Sequence, residues 1–301
     1  MTKFLTYIAV FLLLLPSWAG AAGIAIPDNV QAKASFIRSA QDGLWEKTLV
    51  IRFPERRRLL STKDGFVQVF AAVNHAAHPL LWERVSETMK TATEDGSKVY
   101  EAKTEERIAW ALQLRRGEIA LMATAADMDN LAVVTLSFSP ITVTVLATAG
   151  AKSNALRAGV DEGSYIEVDP GAGQARNGLP GHGTVNIVIL TNARLTDGAM
   201  ARTIITGTEA KTAAFEDLRV PSSYTKGVQA TGTGTDSMMV VSGATGPKVT
   251  YTGGHSKIGE LIGKTVYQAV VEALGKQNGF SKTKNAIHPD SVVSSVEQEV
   301  K

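Results

Sequence analysis

The 301-residue chain is 44% hydrophobic and 20% charged, with a formal net charge of +2. This composition excludes intrinsic disorder, and the absence of cysteine excludes disulfides, thiolate metal sites and cysteine nucleophiles. The small positive balance is not gathered on one aromatic-rich face, so no nucleic-acid partner is expected. The one dense basic run, at residues 56–58, is interpreted as a solvated strand edge or turn.

The N-terminus has the pattern of an export signal. Lys3 precedes an apolar run at residues 4–15, which Pro16 breaks, and a small-x-small cleavage pattern, Ala-Gly-Ala, ends at Ala21. The run is shorter than the roughly 20 apolar residues of a transmembrane helix. We therefore predict a signal peptide at residues 1–21 and a mature protein that is periplasmic or secreted and free of the membrane. The alternative is an anchor formed by an uncleaved N-terminal segment.

Strands dominate the chain after a mixed lead-in at residues 22–45. Runs of β-branched and aromatic residues between polar turns predict strands at residues 49–53, 65–70, 119–122, 131–136, 141–146, 184–190 and 238–242. The three strands between residues 119 and 146 are expected to be neighbours joined by short connections. Residues 171–178 are rich in glycine and predict a surface loop.

Helical spacing predicts four helices. Two short ones are expected at residues 80–89 and 105–114, and two long ones at residues 196–218 and 256–275, the last ending at Gly275. This combination of strands and helices predicts an α+β fold at residues 46–276. We expect a layered single domain with a mixed or antiparallel sheet and two long C-terminal helices. A polar tail follows at residues 277–301.

Four polar, glycine-rich segments lie where strands or helices begin or end, at residues 148–155, 192–194, 231–237 and 251–257. Rigid elements hold binding groups at such places. In the last segment, Gly253 and Gly254 permit close approach to the backbone, and a helix N-terminus offers free N–H donors to an anion or oxyanion. His255 is placed to act as base, acid or metal ligand. The alternative is a simple turn with Ser256 as an ordinary N-cap.

The segment at residues 231–237 presents hydroxyls and one carboxylate, Asp236. A strand follows it and the Walker lysine is missing, which excludes a nucleotide P-loop. The alternative is a polar turn in which Asp236 caps its own backbone. Three kinds of hydrolytic chemistry stay open for these residues: Thr233 or Ser256 as nucleophile with His255, a water activated by His255 or Asp236, or a metal. The five histidines show no metal-ligand spacing on a helix, so no metal site is predicted.

The chain resembles the adenosylcobinamide amidohydrolase family over about two thirds of its length. The resemblance is carried by blocks that occur in one order, at residues 117–127, 131–134, 148–150, 153–155, 183–186, 190–195, 208–211, 230–237 and 251–263. It implies hydrolysis of the amide that joins the aminopropanol arm to the corrin ring of (adenosyl)cobinamide, giving (adenosyl)cobyric acid for cobalamin salvage. The corrinoid is then the substrate, and no cofactor is implied. Metal dependence and oligomeric state stay open.

On this resemblance we assign a corrinoid pocket and a catalytic group. The catalytic residues are expected to be His255 for proton transfer, Asp236 as its orienting or water-activating carboxylate, and Glu209, whose alternative is a surface ion pair. The substrate-binding residues are expected to be Ser153, Asn154, Asn192, Arg194, Thr231, Thr233, Thr235, Gly253, Gly254 and Ser256. The family activity is expected in the cytoplasm, so an exported chain could act on another corrinoid. The competing hypotheses are an exported corrinoid carrier without catalysis and an amidase for an unrelated periplasmic amide.

Overall fold

The computed structural model describes residues 23–41, 43–81, 83–84, 96–163 and 183–282. The predicted signal peptide, the glycine-rich loop at residues 171–178 and the tail beyond residue 282 lie outside the described residues. The helix predicted at residues 80–89 is described only in part, and residues 79–81 and 83–84 are helical. Within the described ranges, no helix combines the length and apolar character needed to cross a bilayer.

Apart from the helical residues 79–81 and 83–84, the described residues form twelve strands and three α-helices. The strands are β1 (Lys33–Gln41), β2 (Leu44–Ser61), β3 (Gly65–Ala77), β4 (Ile119–Thr124), β5 (Ala132–Phe138), β6 (Ile141–Ala149), β7 (Ala155–Leu156), β8 (Val185–Thr191), β9 (Arg194–Leu195), β10 (Gly232–Thr233), β11 (Ser237–Val241) and β12 (Lys248–Val249). The helices are α1 (Gly96–Ala111), α2 (Asp197–Asp217) and α3 (Lys257–Asn278). The predicted α+β fold is confirmed.

One mixed sheet of eight strands organises the molecule, in the order β4-β3-β2-β11-β8-β6-β5, with β1 beside β2. The β3–β4 and β8–β11 pairs are parallel and the other pairs in this sheet are antiparallel. The register of β2 against β3 shifts between Arg52 and Arg57, which marks a bulge. The sheet folds over itself, because Asn186 on β8 donates to Asn74 on β3 at 2.8 Å although two strands lie between them in the order.

This folding creates three apolar layers. Ile187 and Ile189 of β8 pack with α2 and α3 in one core, whereas Val188 and Leu190 of the same strand point into a second core, between the two halves of the sheet. A third core packs α1 on β2, β3 and β4. Strand β8 is therefore buried on both faces, which explains its continuous apolar run.

Both long helices carry the expected caps. The Thr196 side chain accepts from Ala199 N at the start of α2, and the Ser256 side chain accepts from Gly259 N at the start of α3. The prediction that Gly275 ends the last helix is wrong. Helix α3 continues to Asn278, and Gly279 ends it with a left-handed φ of 74° that glycine adopts without strain.

Three other expectations differ from the structure. The lead-in contains β1, which pairs with β2 at nine positions from Lys33 to Gln41, so it is part of the sheet. Strand β4 pairs with β3 and not with β5, because the second half of β3 offers it a parallel partner. Helix α1 begins at Gly96 and ends at Ala111, earlier than predicted at both ends.

The basic run at residues 56–58 is also not a uniformly solvated edge. Arg56 and Arg58 form exposed ion pairs with Glu118 and Asp197. Arg57 is only 2% exposed, and its guanidinium donates to backbone carbonyls, among them Ser242 O at 2.8 Å. The alternation of side chains along β2 turns Arg57 inward while its two neighbours face solvent.

Candidate functional site

Strand β8 separates the four polar segments into two groups. Its N-terminal end lies beside the end of β6 and the start of β11, because β6 is antiparallel and β11 parallel to it. The segments at residues 148–155 and 231–237 therefore meet at this end. The segments at residues 192–194 and 251–257 lie at the opposite end, where the second residue of β12 pairs with Leu195.

At the N-terminal end of β8, the Asp236 carboxylate gathers several donors. It accepts from the Thr233 hydroxyl at 2.5 Å and from the backbone N–H groups of Thr233 and Val185 at 3.1 Å. It also forms an ion pair with the ammonium of Lys211 on α2. The Asp236 and Lys211 side chains are 19% and 10% exposed, so this pair is largely desolvated but still reaches the surface.

The absence of a side chain at residue 232 makes room for this ion pair. A Cβ at Gly232 would lie 2.2 Å from Lys211 Nζ and 2.3 Å from Asp236 Oδ2. The same loop is tied to α2 by the Thr212 hydroxyl, which donates to Thr231 O at 3.1 Å. We call Thr233, Asp236 and Lys211 the carboxylate–lysine cluster.

Asn154 connects this cluster to its surroundings. Its buried side chain donates to Gly183 O at 2.7 Å and to Thr235 Oγ1 at 3.3 Å. Its Oδ1 accepts from the Tyr224 hydroxyl at 2.7 Å. Ser153 is exposed next to it, and Thr231 bonds to Leu156 O and Ala158 N. The structure thus brings together five of the expected binding residues: Ser153, Asn154, Thr231, Thr233 and Thr235.

The expected binding residues at the other end serve local structure. Asn192 accepts from Thr142 N and donates to Pro140 O, which fixes the β5–β6 turn. Arg194 Nε donates to Gly246 O at 2.9 Å. Ser256 caps α3 and donates to Gly253 O at 2.8 Å, as its alternative interpretation held.

Gly253 and its neighbours form a turn at the start of α3. A Cβ at Gly253 would meet the Tyr251 ring, whereas Gly254 has open space around it and His255 is exposed. The backbone N–H of Ser256 is already bonded to Gly253 O at 2.9 Å. This end is therefore built of turns and caps whose polar groups bond within the backbone.

The predicted partnership of Asp236 with His255 is wrong. Lys257, two residues after His255, lies 4.8 Å over the Phe138 ring, and Phe138 pairs with Ile141 at the start of β6. Asp236 instead bonds Val185 N, opposite Ala149 at the end of β6. The stretch of β6 between these two points spans about 25 Å. No proton can pass directly between the two side chains.

Glu209 also lies away from the carboxylate–lysine cluster. It precedes Lys211 by two residues, a rotation of about 200° around the helix axis. Lys211 is buried, whereas Glu209 is exposed. The pKa of Arg202 is raised mainly by its hydrogen bond with Tyr251, with a smaller contribution from the charge of Glu209. This position fits the alternative interpretation, in which Glu209 has a role on the helix surface.

Two residues of this site were missed in the sequence. Lys211 shares the buried face of α2 with Thr203, Gly207 and Ala214. A lysine in a buried helical stripe signals a partnered charge, because lysine is almost never buried alone. Tyr224 gave no signal, since it lies in an irregular segment far along the chain from Asn154.

A second polar cluster lies between the sheet and α1. Arg107 donates to both oxygens of Glu46, and Thr48 Oγ1 lies 2.9 Å from His75 Nδ1. Burial, with a smaller contribution from the Arg107 charge, lowers the pKa of His75 to about 4, against the opposing effect of Glu46. Burial alone would raise the pKa of Glu46, but Arg107 and His75 lower it overall. Across the described residues, no group of three His, Asp or Glu side chains could hold a metal ion.

Comparison with known proteins supports the resemblance seen in the sequence. An uncharacterised protein of Methanocaldococcus jannaschii is 45% identical over 243 residues, which cover 79% of this chain and 90% of that protein. The family model for adenosylcobinamide amidohydrolase matches residues 33–282, from the first residue of β1 to beyond α3. This range includes the whole carboxylate–lysine cluster. The chain therefore belongs to the adenosylcobinamide amidohydrolase family.

Proposed function

We propose that the protein hydrolyses the amide bond between the aminopropanol arm and the corrin ring of (adenosyl)cobinamide, giving (adenosyl)cobyric acid and aminopropanol. Family membership supports amide hydrolysis of a corrinoid. The observation that carries a site for it is the Asp236 carboxylate, which holds the Thr233 hydroxyl at 2.5 Å while it is paired with Lys211. A hydroxyl hydrogen-bonded to a carboxylate is the arrangement of an activated nucleophile.

The proposed reaction proceeds through an ester on Thr233. Thr233 Oγ attacks the amide carbon, and its proton passes to Asp236. When the C–N bond breaks, this proton moves to the leaving nitrogen and aminopropanol departs. A water then attacks the ester carbon and gives one proton to Asp236. As the ester C–O bond breaks, Asp236 returns this proton to Thr233 Oγ, which releases the corrin carboxylic acid and restores the Thr233 hydroxyl and the Asp236 carboxylate. The Lys211 ammonium balances the charge of Asp236 in the resting site and is expected to disperse the oxyanion charge.

Four variants test these roles with purified protein and adenosylcobinamide, with released aminopropanol measured by mass spectrometry. Thr233→Ala, Asp236→Asn and Lys211→Met are each expected to lower kcat by about 100-fold or more. Thr233→Ser keeps a hydroxyl and should retain much more activity than Thr233→Ala. Full activity in Thr233→Ala would exclude the ester route and leave direct activation of water by Asp236.

His255→Gln is the matched control. His255 is a polar residue in another of the segments that resemble the family, but it lies at the opposite end of β8. Under the proposed assignment, kcat of this variant should therefore stay within about twofold of wild type. A large loss in this variant, with Asp236→Asn active, would move the site to the start of α3. It would restore His255 as the proton-transfer residue.

The second candidate function is a corrinoid carrier. It is favoured by the saturation of Asp236, since both carboxylate oxygens already accept from groups of the protein itself. Equilibrium binding followed by mass analysis of the recovered ligand separates the two. A carrier binds cobinamide and returns it intact under all conditions. Turnover of other amides without corrinoid binding would support the amidase for an unrelated substrate.

We further propose that the protein acts outside the cytoplasm after removal of residues 1–21. The support is the short apolar run of the N-terminus and the small residues before Ala22. Intact mass of the protein from separated cell fractions tests this. A mature N-terminus at Ala22 in the periplasm or medium is expected, and a full-length protein in the membrane fraction would support the uncleaved anchor.

A further inference from the structure

Tyr224 is an exposed aromatic residue at the rim of the carboxylate–lysine cluster. Tyr224 is 52% exposed, yet its hydroxyl donates to Oδ1 of buried Asn154 at 2.7 Å. Asn154 Nδ2 in turn donates to Thr235 Oγ1, in the loop that carries Thr233 and Asp236. A Cβ at Gly234 would lie 3.3 Å from Asn154 Oδ1, so this loop runs beside the tip of the Tyr224 ring.

The backbone on both sides of Tyr224 is held firmly. Ser222 and Thr225 both donate their hydroxyls to Asp161, at 2.7 and 2.5 Å. Ser223 exchanges two hydrogen bonds with Ala155, one from its backbone N–H and one to its hydroxyl oxygen. The ring is therefore fixed at its base by the chain and at its tip by Asn154, which leaves it little freedom to lose on binding.

The Tyr224 ring also differs from three other exposed aromatic rings of the described residues, each of which has a cation over it. Phe66, Phe138 and Tyr251 are exposed aromatics with Arg58, Lys257 and Arg202 over their rings. No cation of the described residues lies over Tyr224. Val160, next to Asp161 in the same network, is 53% exposed and adds apolar surface. A rigid, bare aromatic face beside a reaction centre suits a flat conjugated ring, on which it can stack.

We propose that Tyr224 is a specificity-determining residue that packs its ring against a flat conjugated ring of the substrate and so places the scissile amide at Thr233. This inference rests on the proposed function for the identity of the substrate. Two rings of that substrate have the required chemistry, the corrin ring itself and the adenine of the upper ligand. Either one would bury the exposed face of Tyr224.

The test measures equilibrium binding of two corrinoids, adenosylcobinamide and cyanocobinamide, which lacks adenine, by quenching of protein fluorescence. The variants are Tyr224→Ala, Tyr224→Phe and, as matched control, Tyr251→Ala, which removes an equally exposed tyrosine at the other end of β8. Tyr224→Ala should raise Kd about tenfold. Tyr224→Phe keeps the ring and should raise Kd less than about threefold, and Tyr251→Ala should leave it unchanged.

The pattern across ligands identifies the ring that stacks. A loss in Tyr224→Ala with both ligands assigns the corrin ring, and a loss with adenosylcobinamide alone assigns the adenine. An unchanged Kd in Tyr224→Ala overturns the inference. An equal loss in Tyr224→Phe also overturns it, because the hydroxyl would then act only by positioning Asn154. Failure of the wild-type protein to bind either ligand overturns it as well. Binding that depends on Tyr224 without any hydrolysis would refute the proposed function and leave only the stacking of Tyr224 on the ligand ring standing.

Discussion

Arg57 should contribute more to stability than either neighbouring arginine. Its Nε donates to Ser242 O at 2.8 Å, Nη1 to Val30 O at 3.2 Å and Nη2 to Thr191 O at 3.4 Å. These carbonyls belong to the chain near the ends of β11 and β8 and to the N-terminal segment before β1. One side chain of β2 therefore joins three separate parts of the fold. Arg57→Met keeps the aliphatic length and removes these three bonds together with a longer one from Nη1 to Gln31 O at 3.5 Å.

The magnitude follows from the burial of these groups. A hydrogen bond from a charged donor contributes about 1.5–3 kcal/mol, and the two shorter bonds together give about 3–6 kcal/mol. Burial of the guanidinium opposes this, since desolvation also lowers the pKa of Arg57. We expect Arg57→Met to lower the free energy of unfolding by about 2–4 kcal/mol. Arg58→Met removes an exposed ion pair with Asp197 and an exposed contact with the Phe66 ring, and should cost about 1 kcal/mol or less.

Urea unfolding of the wild type, Arg57→Met and Arg58→Met, followed by circular dichroism, measures the difference in the free energy of unfolding. Arg58→Met is the matched control because it makes the same chemical change at the next position of β2. Arg57→Lys should recover only part of the loss, since an ammonium cannot reach three divergent carbonyls in the guanidinium geometry. Equal midpoints for Arg57→Met and Arg58→Met would refute the argument that buried carbonyls depend on this side chain.

Three further outcomes are expected. His75 has a folded-state pKa of about 4 and an unfolded pKa near 6.5, so its contribution to the free energy of unfolding should be full above pH 6.5 and lost as the pH falls towards 4. Urea unfolding across this pH range should show that His75→Gln removes this slope. Gly232→Ala should displace Lys211 from Asp236 and lower kcat by about tenfold or more, whereas Gly254→Ala, in open space, should not; equal rates would contradict this. Ser256→Ala should lower the unfolding free energy by about 1 kcal/mol and leave kcat unchanged, and a loss of kcat at full stability would favour a catalytic Ser256.

Local patterns predicted the elements whose neighbours are close in sequence. Thr196 and Ser256 marked the starts of α2 and α3, because a cap is a bond within one turn of chain. Strands β5 and β6 were found as a pair because a short turn joins them. The partner of β4 could not be predicted in this way, because about 40 residues, including α1, separate β4 from β3. The inclusion of β1 was a missed local signal, since Gln41 pairs with Leu44 and the sequence between them is Asp-Gly, a typical hairpin turn.

The chemistry of individual side chains is equally dependent on such pairing. Arg57 differs from Arg56 and Arg58 only in the face of β2 on which it stands, and three adjacent arginines contain no sign of that. Lys211 is recognisable as buried only once the apolar face of α2 is known. The family blocks identified the polar segments of the site, but only the strand directions decide which of these segments meet.

The two ends of β8 differ in how their polar groups are satisfied, and this difference argues for the location of the reaction. At the end that holds Ser256 and Asn192, side chains bond to backbone groups of turns and caps, a stable arrangement that needs no ligand. At the other end, Lys211 and Asp236 form a desolvated ion pair, which contributes little to stability because burial of both charges is costly. A fold gains little from such a pair unless its charges act on something else. The Thr233 hydroxyl on Asp236 and the exposed Tyr224 ring beside it supply a nucleophile and a surface for that purpose.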